Sequence, residues 1–334
     1  MEIAAQMLPF AITSNERELV RSRAGVRSQG RTCPKIEHQH PSRNSPVSSL
    51  TRMLSVLDLF SKEHTTMTAE QIAESLGLTR TTCYRYTREL GHAGLLVSDG
   101  GQFMLGPRII ELDHRIIQSD PLLNAGRPVA ISLADSLGAT GLLTTCYDDR
   151  IVNVFEHEAT TTRLPVSFGR GTTMPLFRSS TSKAILSSMS RSRLKRLWKE
   201  HQHEVDCQEI GRDWLSFWKA LQAIKRQGLC MSTGEIDAGM SGISSPILFG
   251  TGEVAGCISL VFAAEDFRVY EPELIGARLR AAAGQVSRAL ARVVEDGTPR
   301  PAAEALAPAG RRRRPAAAGP VLPKPRKAVA LGSA

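Results

Sequence analysis

Two helical patterns separated by a very short break constrain the fold of this chain more than any other feature. They lie in the segment TAEQIAESLGLTRTTCYRYTREL, residues 68–90. Thr68 with Gln71 three residues later is a capping-box pattern, Gly77 is a natural helix stop, and Thr79 is placed to cap a second helix. The segment therefore predicts a helix-turn-helix.

The flanking sequence extends this unit on both sides. Before it, SLTRMLSVLDLF places Leu50, Met53, Leu54, Leu57 and Phe60 at helical spacing, which predicts one helix with an apolar face. After it, LLVSDGGQFML predicts a hairpin that turns at residues 99–101. Three helices followed by a hairpin predict a winged helix-turn-helix domain over residues 47–106.

The second helix of the pair has two distinct faces at 100° per residue. Cys83, Tyr86, Leu90 and Ala93 cluster on the inner side, and three arginines point outward with no acidic residue beside them before Glu89. In a helix-turn-helix this helix enters the DNA major groove, so the missing partners would be phosphates and base edges. A merely solvated helix face is the alternative. The predicted DNA-binding residues are Thr79, Arg80, Thr81, Thr82, Tyr84, Arg85 and Arg88.

The formal net charge of +9 is concentrated at the two ends of the chain. Residues 1–46 carry 7 basic and 4 acidic side chains and residues 297–334 carry 8 and 1, whereas residues 47–296 carry 27 and 28. Neither end has hydrophobic periodicity, and Pro and Gly interrupt the second, so both are predicted to be disordered. Net charge thus does not locate a DNA-binding site.

Residues 107–296 alternate between helical and strand patterns. A helix over residues 107–121 is predicted to link two domains, and another runs from about 122 to 137. Runs rich in β-branched residues at 141–147, 151–158, 242–249 and 253–262 predict strands, and helical patterns lie near 179–189, 191–200, 213–227 and 270–294. An antiparallel sheet flanked by helices predicts an α+β sensor domain over residues 122–296.

Two features of this second domain suggest a ligand site. In the last predicted strand Ile258, Leu260 and Phe262 form a large apolar face for packing on helices, while the opposite face is small and partly polar and leaves room for a pocket. The loop GRGTTMP, residues 169–175, offers backbone amides and threonines suited to a carboxylate. Close packing without a pocket is the alternative. The effector candidates in these features are Gly169, Gly171, Thr172, Thr173, Cys257 and Ser259.

The sequence resembles the IclR family of transcriptional regulators. LGLTRTTCYRYTRELGHAGLL followed by GQFMLGPRIIEL resembles the family's N-terminal domain, and PLFRSSTSKAILSSM and KRQGLCMSTGEIDAGMSGISSPILFGTGEVAGCISL resemble segments of its second domain. The resemblance covers residues 47–296. It implies a GAF-like sensor fold, a homodimer or dimer of dimers, and effector contacts in the 169–173 loop and at Glu235, Gly242 and Ser259.

Departures from the family pattern are confined to the sensor domain. Phe177 stands where the family usually has His, and Ser182 where it usually has Gly. Ser244 and Ser245 replace an Ala pair. These changes bear on the ligand rather than on the fold.

Other chemistries have weaker support. The sequence has no G-x-S-x-G elbow and no Gly-rich phosphate loop, so we expect no enzyme activity and no cofactor. Neither of two His/Cys clusters has a second half at ligand spacing, so we expect solvated loops rather than metal sites. These clusters are Cys33, His38 and His40, and His201, His203 and Cys207.

The expected function is a ligand-responsive regulator that binds double-stranded operator DNA. Six widely spaced cysteines without a C-x-x-C pair fit a reducing cytoplasm, and no apolar run is long enough to span a bilayer. We expect a bacterial, nucleoid-associated protein that senses a small carboxylic acid and represses a catabolic operon. The alternatives are an activator of the same class, an enzyme with a DNA-binding appendage, and a nucleic-acid-binding protein driven by its basic tails.

Overall fold

A computed structural model describes residues 48–147, 149–159, 166–205, 210–211 and 213–295 of the 334 residues. The predicted disordered ends, 1–46 and 297–334, lie outside the described residues. The chain divides into two compact units, one ending at Arg88 and the other beginning at Glu89.

The first unit holds the helix-turn-helix. Helix α1 spans Ser49–Leu54 and is followed by a 3-10 turn at Leu57–Leu59, a short strand β1 at Met67–Thr68, and helix α2 at Ala69–Leu76. The prediction of one continuous helix to Phe60 was wrong, because from Val56 onward the backbone hydrogen bonds change to the i→i−3 pattern of a 3-10 turn. Val56 is buried, whereas Leu50 and Leu54 are 67% and 50% exposed.

The turn between α2 and helix α3, Arg80–His92, confirms the local signals. The Thr68 hydroxyl accepts from the Gln71 amide at 3.3 Å, and the Gln71 side-chain oxygen accepts from the Thr68 amide at 2.8 Å, completing the capping box. Gly77 ends α2 in the left-handed region with φ 59°, and Thr79 caps α3 by accepting from the Thr82 amide.

The second unit begins within α3 and continues into a hairpin of β2, Leu96–Asp99, and β3, Gln102–Leu105. Gly100 and Gly101 both have positive φ and form the turn, within the predicted range 99–101, while Asp99 pairs with Gln102 and so belongs to the strand. Ala93 is exposed because α3 ends one residue before it, so it does not belong to the inner face as predicted. Helix α4, Arg108–Ser119, follows at the predicted linker position.

A six-stranded antiparallel sheet forms the centre of the remaining chain, in the order β6-β5-β4-β9-β8-β7. The short edge strands β6 and β7 were missed by the sequence analysis. The strands are β4 Thr140–Tyr147, β5 Arg150–Glu158, β6 Thr173–Met174, β7 Cys230–Thr233, β8 Met240–Leu248 and β9 Val254–Ala263. The helices are α5 Pro121–Leu137, α6 Ser179–Ser188, α7 Arg191–Val205, α8 Trp214–Gln227, α9 Ala264–Phe267 and α10 Pro272–Glu295.

Helices cover both faces of this sheet, which confirms the α+β class. On one face Ile258, Leu260 and Phe262 of β9 join α5 and α10 in a hydrophobic core, as the apolar side of that strand predicts. On the other face Phe177 and Phe217 join α6, α7 and α8 in a second core. Across the described segments, no helix is both long and apolar enough to cross a bilayer.

Candidate functional sites

The predicted DNA-binding residues share one side of the start of α3. Cys83 and Tyr86 lie buried on the other side of α3, and the Cys83 thiol donates to the Ala69 carbonyl of α2 at 3.2 Å. This packing fixes the rotation of α3 about its axis. Of the seven candidates Thr82 is half-buried, and the exposed ones are Thr79, Arg80, Thr81, Tyr84, Arg85 and Arg88.

The three arginines do not all lack protein partners, which corrects the expectation from the sequence. Arg80 donates to the carboxylate of Glu70 on α2 at 2.7 Å, with both side chains more than half exposed. Tyr84 and Glu70 raise the pKa of the Arg80 guanidinium, so it stays charged. The guanidinium of Arg85 lies 5.4 Å from the ring centroid of Tyr86. Because an exposed ion pair contributes little, Arg80 remains available to exchange Glu70 for a phosphate.

In the sensor domain a small cavity lies between the second face of the sheet and the N-terminus of α6. Its volume is about 60 Å³, well below the roughly 300–1,000 Å³ of ordinary ligand pockets. The wall is mostly apolar, with hydroxyl groups and the Glu235 carboxylate near the start of α6 and the Asp237 carboxylate bound to Ser167. The lining residues are Leu142, Val166, Phe168, Met174, Ser179, Ser180, Thr181, Ser232, Gly234, Glu235, Ile236, Asp237, Met240, Gly242 and Val261.

Two of the predicted effector residues, Glu235 and Gly242, line this cavity, and two others lie behind its wall. A Cβ at Gly242 would lie 2.8 Å from the Ser180 hydroxyl, so a side chain there would require that hydroxyl to move. Cys257 and Ser259 are fully buried and do not line the cavity. The Ser259 hydroxyl lies 2.9 Å from that of Thr181, which closes the wall in front of it.

The predicted carboxylate-binding loop is engaged with the protein itself. The Arg170 amide donates to Glu156, the Gly171 amide to the Asn153 carbonyl, and the Thr172 amide to the Gly169 carbonyl. A Cβ at Gly169 would lie 2.5 Å from the Glu156 carboxylate, so a side chain there would require that carboxylate to move. None of the candidates Gly169, Gly171, Thr172 and Thr173 lines the cavity, so their assignment to an effector stays a prediction.

This loop instead connects the cavity wall to α4. Phe168 lines the cavity, and two residues later Arg170 forms a bidentate pair with Asp113 of α4, at 2.6 and 3.0 Å. The Arg170 side chain also donates to the Val154 carbonyl, so the guanidinium is fixed between β5 and α4.

The sequence analysis missed the residues at the start of α6. Ser179, Ser180 and Thr181 line the cavity, and Lys183 forms an ion pair with Glu235 beside it. The run RSSTSK at the beginning of a helix was the available signal, since serine and threonine at a helix start leave backbone amides and hydroxyls in one place.

Two thiols close to this site are protonated and therefore poorly nucleophilic. Burial raises the pKa of Cys230 and of Cys257 to about 12, so both remain protonated near neutral pH. Within the residues that the structure describes, no group of three or more His, Cys, Asp or Glu side chains could hold a metal. Cys33, His38, His40 and Cys207 lie outside the described residues, whereas His201 lies in α7 with its ring centroid 6.5 Å from that of Phe177.

Comparisons with known proteins agree on both parts of the chain. The IclR helix-turn-helix domain model matches residues 49–100, and the model of the bacterial transcriptional regulator IclR C-terminal domain matches residues 114–288. Among curated relatives, the Pca regulon regulatory protein of Pseudomonas putida is 23% identical over 214 residues, which cover 64% of this chain and 74% of that protein. The p-hydroxybenzoate hydroxylase transcriptional activator of Acinetobacter baylyi is 24% identical over 226 residues, covering 65% and 83%.

Solved structures show the same fold. An IclR transcriptional regulator from Alicyclobacillus acidocaldarius matches with a TM-score of 0.63 and 22% identity, covering 72% of this chain and 98% of that one. An IclR homolog complexed with 4-hydroxybenzoate, from Microbacterium hydrocarbonoxydans, matches with a TM-score of 0.57 and 20% identity, covering 73% and 99%. Together the two family matches span well over half of the chain, which therefore belongs to the IclR family of bacterial transcriptional regulators, with a DNA-binding helix-turn-helix domain and a C-terminal effector-binding domain, and is not an enzyme.

Proposed function

We propose that this regulator reads a specific operator through α3 and releases or engages it in response to a small organic acid. The DNA-binding part of this proposal is supported by the exposed side of α3, which carries Arg80, Arg85 and Arg88, whereas Cys83 and Tyr86 are buried. Guanidinium groups at this position can form bidentate bonds to guanine and contacts to phosphate. We expect Arg85, in the middle of that side, to read a base.

The effector half of the proposal rests on the cavity beside α6. Its apolar wall suits an aromatic or short aliphatic body, and its polar end suits a carboxylate or hydroxyl group. Relatives support this chemistry, since one structural neighbour is complexed with 4-hydroxybenzoate and two curated relatives are a Pca regulon and a p-hydroxybenzoate hydroxylase regulator. The proposed effector is thus a small carboxylic acid, with aromatic acids first.

Repression of a catabolic operon is the proposed output, and activation is the second candidate. Activation is favoured by one observation, namely that the Acinetobacter baylyi relative is a transcriptional activator. We propose a homodimer or a dimer of dimers acting on operator DNA in the bacterial nucleoid, because paired half-sites raise specificity beyond what one helix in one groove provides.

The experiment begins with selection of bound sites from a random DNA library by the full chain. Affinity for the selected site is then measured with and without a panel of aromatic and aliphatic acids that includes 4-hydroxybenzoate. We expect one defined operator and a change in affinity with at least one acid. Failure to select any site would refute the DNA assignment, and a defined site whose affinity no acid changes would refute acid sensing.

The direction of regulation needs a separate measurement. In vitro transcription from a promoter carrying the selected site should fall when the protein is added and recover with the acid. A rise on adding protein and acid would establish the activator instead.

A further inference from the structure

The polar end of the cavity already holds a carboxylate, that of Glu235. One carboxylate oxygen accepts from the Ser179 amide at 2.9 Å, and the other is bound by the Lys183 ammonium. The side chain of Lys183 is 12% exposed and that of Glu235 is 24% exposed, so the pair is largely shielded from water. Arg178 donates to the Glu235 carbonyl and fixes the backbone beside it.

These groups together have the properties of a binding site for an anion. Ser179 has φ 78° and is the one non-glycine residue with positive φ among those described, a conformation that costs energy and points its amide at the carboxylate. The same amide opens the ten-residue helix α6, whose N-terminus favours negative charge. An ammonium group and an oriented amide, both in a sheltered site, bind carboxylates strongly.

The loop that carries Glu235 is bounded by two glycines that have open space around them. It joins β7 to β8 and is bounded by Gly234 and Gly239, both with positive φ and with open space where a Cβ would lie. The cavity of about 60 Å³ is too small for an aromatic acid. Removal of the Glu235 side chain from the wall would provide both room and an unoccupied ammonium and amide.

We propose that Glu235 is an internal occupant of the effector's carboxylate site. An incoming acid takes over the Ser179 amide and the Lys183 ammonium, and Glu235 moves out with the 234–239 loop. Only molecules in which Glu235 has left the site can bind the acid, so the apparent Kd is the intrinsic Kd divided by the fraction of such molecules. Glu235 therefore sets the acid concentration at which the regulator responds. This inference rests on the proposed function only in treating the cavity as the effector site.

Acetate tests the site without the effector or DNA. Glu235→Ala leaves Lys183 without its carboxylate, so the variant should have a lower Tm than the wild type. Sodium acetate should raise that Tm by several degrees in a saturable manner, relative to sodium chloride at equal ionic strength. Acetate should leave the wild-type Tm unchanged, because Glu235 fills the site.

Two further variants keep the test decisive. Glu235→Ser opens the same space with a small polar side chain and should also respond to acetate, which covers the case that the alanine variant does not fold. Asp237→Ala removes the neighbouring cavity carboxylate, which accepts from the Ser167 amide at 3.0 Å and forms no ion pair with any residue that the structure describes. This variant should not respond. In Glu235→Ser, adding Lys183→Met should abolish the acetate response.

The outcomes separate this inference from the proposed function. Absence of acetate binding in both Glu235 variants, an equal response of the wild type, or an equal response of Asp237→Ala would each overturn it. Acid sensing is tested separately by operator affinity in the wild type, so acetate binding in the Glu235 variants can stand even if no acid changes DNA binding. Where an acid does act on the wild type, Glu235→Ser should bind it at least tenfold more tightly, and unchanged or weaker binding would also overturn the inference.

Discussion

Substitution of Ser259 decides whether the small face of β9 is ligand space or packed core. Ser259 is 1% exposed, and its hydroxyl lies 2.9 Å from that of Thr181 and 2.8 Å from that of Ser244. Ser244 also lies 2.7 Å from the Ser180 hydroxyl. The four hydroxyls therefore form one buried network directly behind the cavity wall.

The expected losses follow from this network. Ser259→Ala removes two hydrogen bonds to other hydroxyls, each of which contributes roughly 0.5–1.5 kcal/mol net, and a weaker contact with the Cys257 thiol at 3.7 Å. Thr181 and Ser244 lie 3.2 Å apart and keep each other as partners. The loss of stability should thus be about 1 kcal/mol. Ser259→Phe adds a ring where no space exists and should cost about 1–3 kcal/mol or more. For a domain of this size, 1 kcal/mol corresponds to a Tm change of about 2–4 °C.

Calorimetry of the full chain tests whether Ser259→Phe lowers the Tm more than Ser259→Ala does. Operator affinity and the acid response are measured on the same variants. Val261→Phe is the matched control, because Val261 lies on the same face of β9 but lines the cavity. We expect the Val261 variant to lose the acid response with a smaller fall in Tm than Ser259→Phe. An unchanged Tm in Ser259→Phe with loss of the acid response would show that Ser259 faces ligand space and would refute the reasoning.

Three further predictions concern DNA binding and the thiols. Arg85→Ala should cost about 1–3 kcal/mol of operator-binding free energy and relax specificity at one base position. Arg88→Ala should weaken binding to all DNA sequences alike and lower the slope of log affinity against log salt concentration by about one unit. Binding titrations of both variants at several salt concentrations test this, and equal effects of the two substitutions would contradict it. Truncation after Asp296 should remove salt-sensitive, non-specific affinity but keep the operator footprint, and loss of that footprint would make the basic tail part of the reader. Cys230 and Cys257 should resist alkylation at pH 8 in the native protein, since burial raises the pKa of each to about 12 from an ordinary value of 9. Folding keeps these thiols protonated, so their contribution to stability is present below pH 9 and is lost between pH 9 and about pH 12; a pH series of Tm values that stays flat over that range would contradict it.

The helix-turn-helix could be predicted because its signals are local. Thr68 and Gln71 cap α2, Gly77 stops it, and Thr79 caps α3 within a few residues of one another, so no distant part of the chain is needed to specify the turn. The partner of Arg80 could not be read in the same way. Glu70 lies ten residues earlier and reaches it only because the turn brings α2 and α3 together.

The proposed effector site was harder to predict because the residues that form it lie far apart in the chain. The loop at 169–173 has the composition of a carboxylate site, but Glu156 and Asn153 of β5 take up its amides. The strand alternation of β9 correctly placed Ser259 opposite the large apolar face. It could not show that Thr181, 78 positions earlier, closes the wall in front of Ser259.

The hydroxyl network also gives the departures from the family pattern a physical meaning. In a sequence, Ser244 in place of alanine looks like a neutral exchange of one small residue for another. In the structure its hydroxyl bridges Ser180 and Ser259, and a hydroxyl at this depth without partners would destabilise the fold. A side chain at Gly242 would require the Ser180 hydroxyl to move out of this network. The small residues on this face therefore depend on one another, because each hydroxyl has its partners in the others and Gly242 leaves the Ser180 hydroxyl in place. A change of ligand preference that alters one of them requires compensation at its partners, so Ser244→Ala alone should disturb α6 and the polar end of the cavity as well as β8.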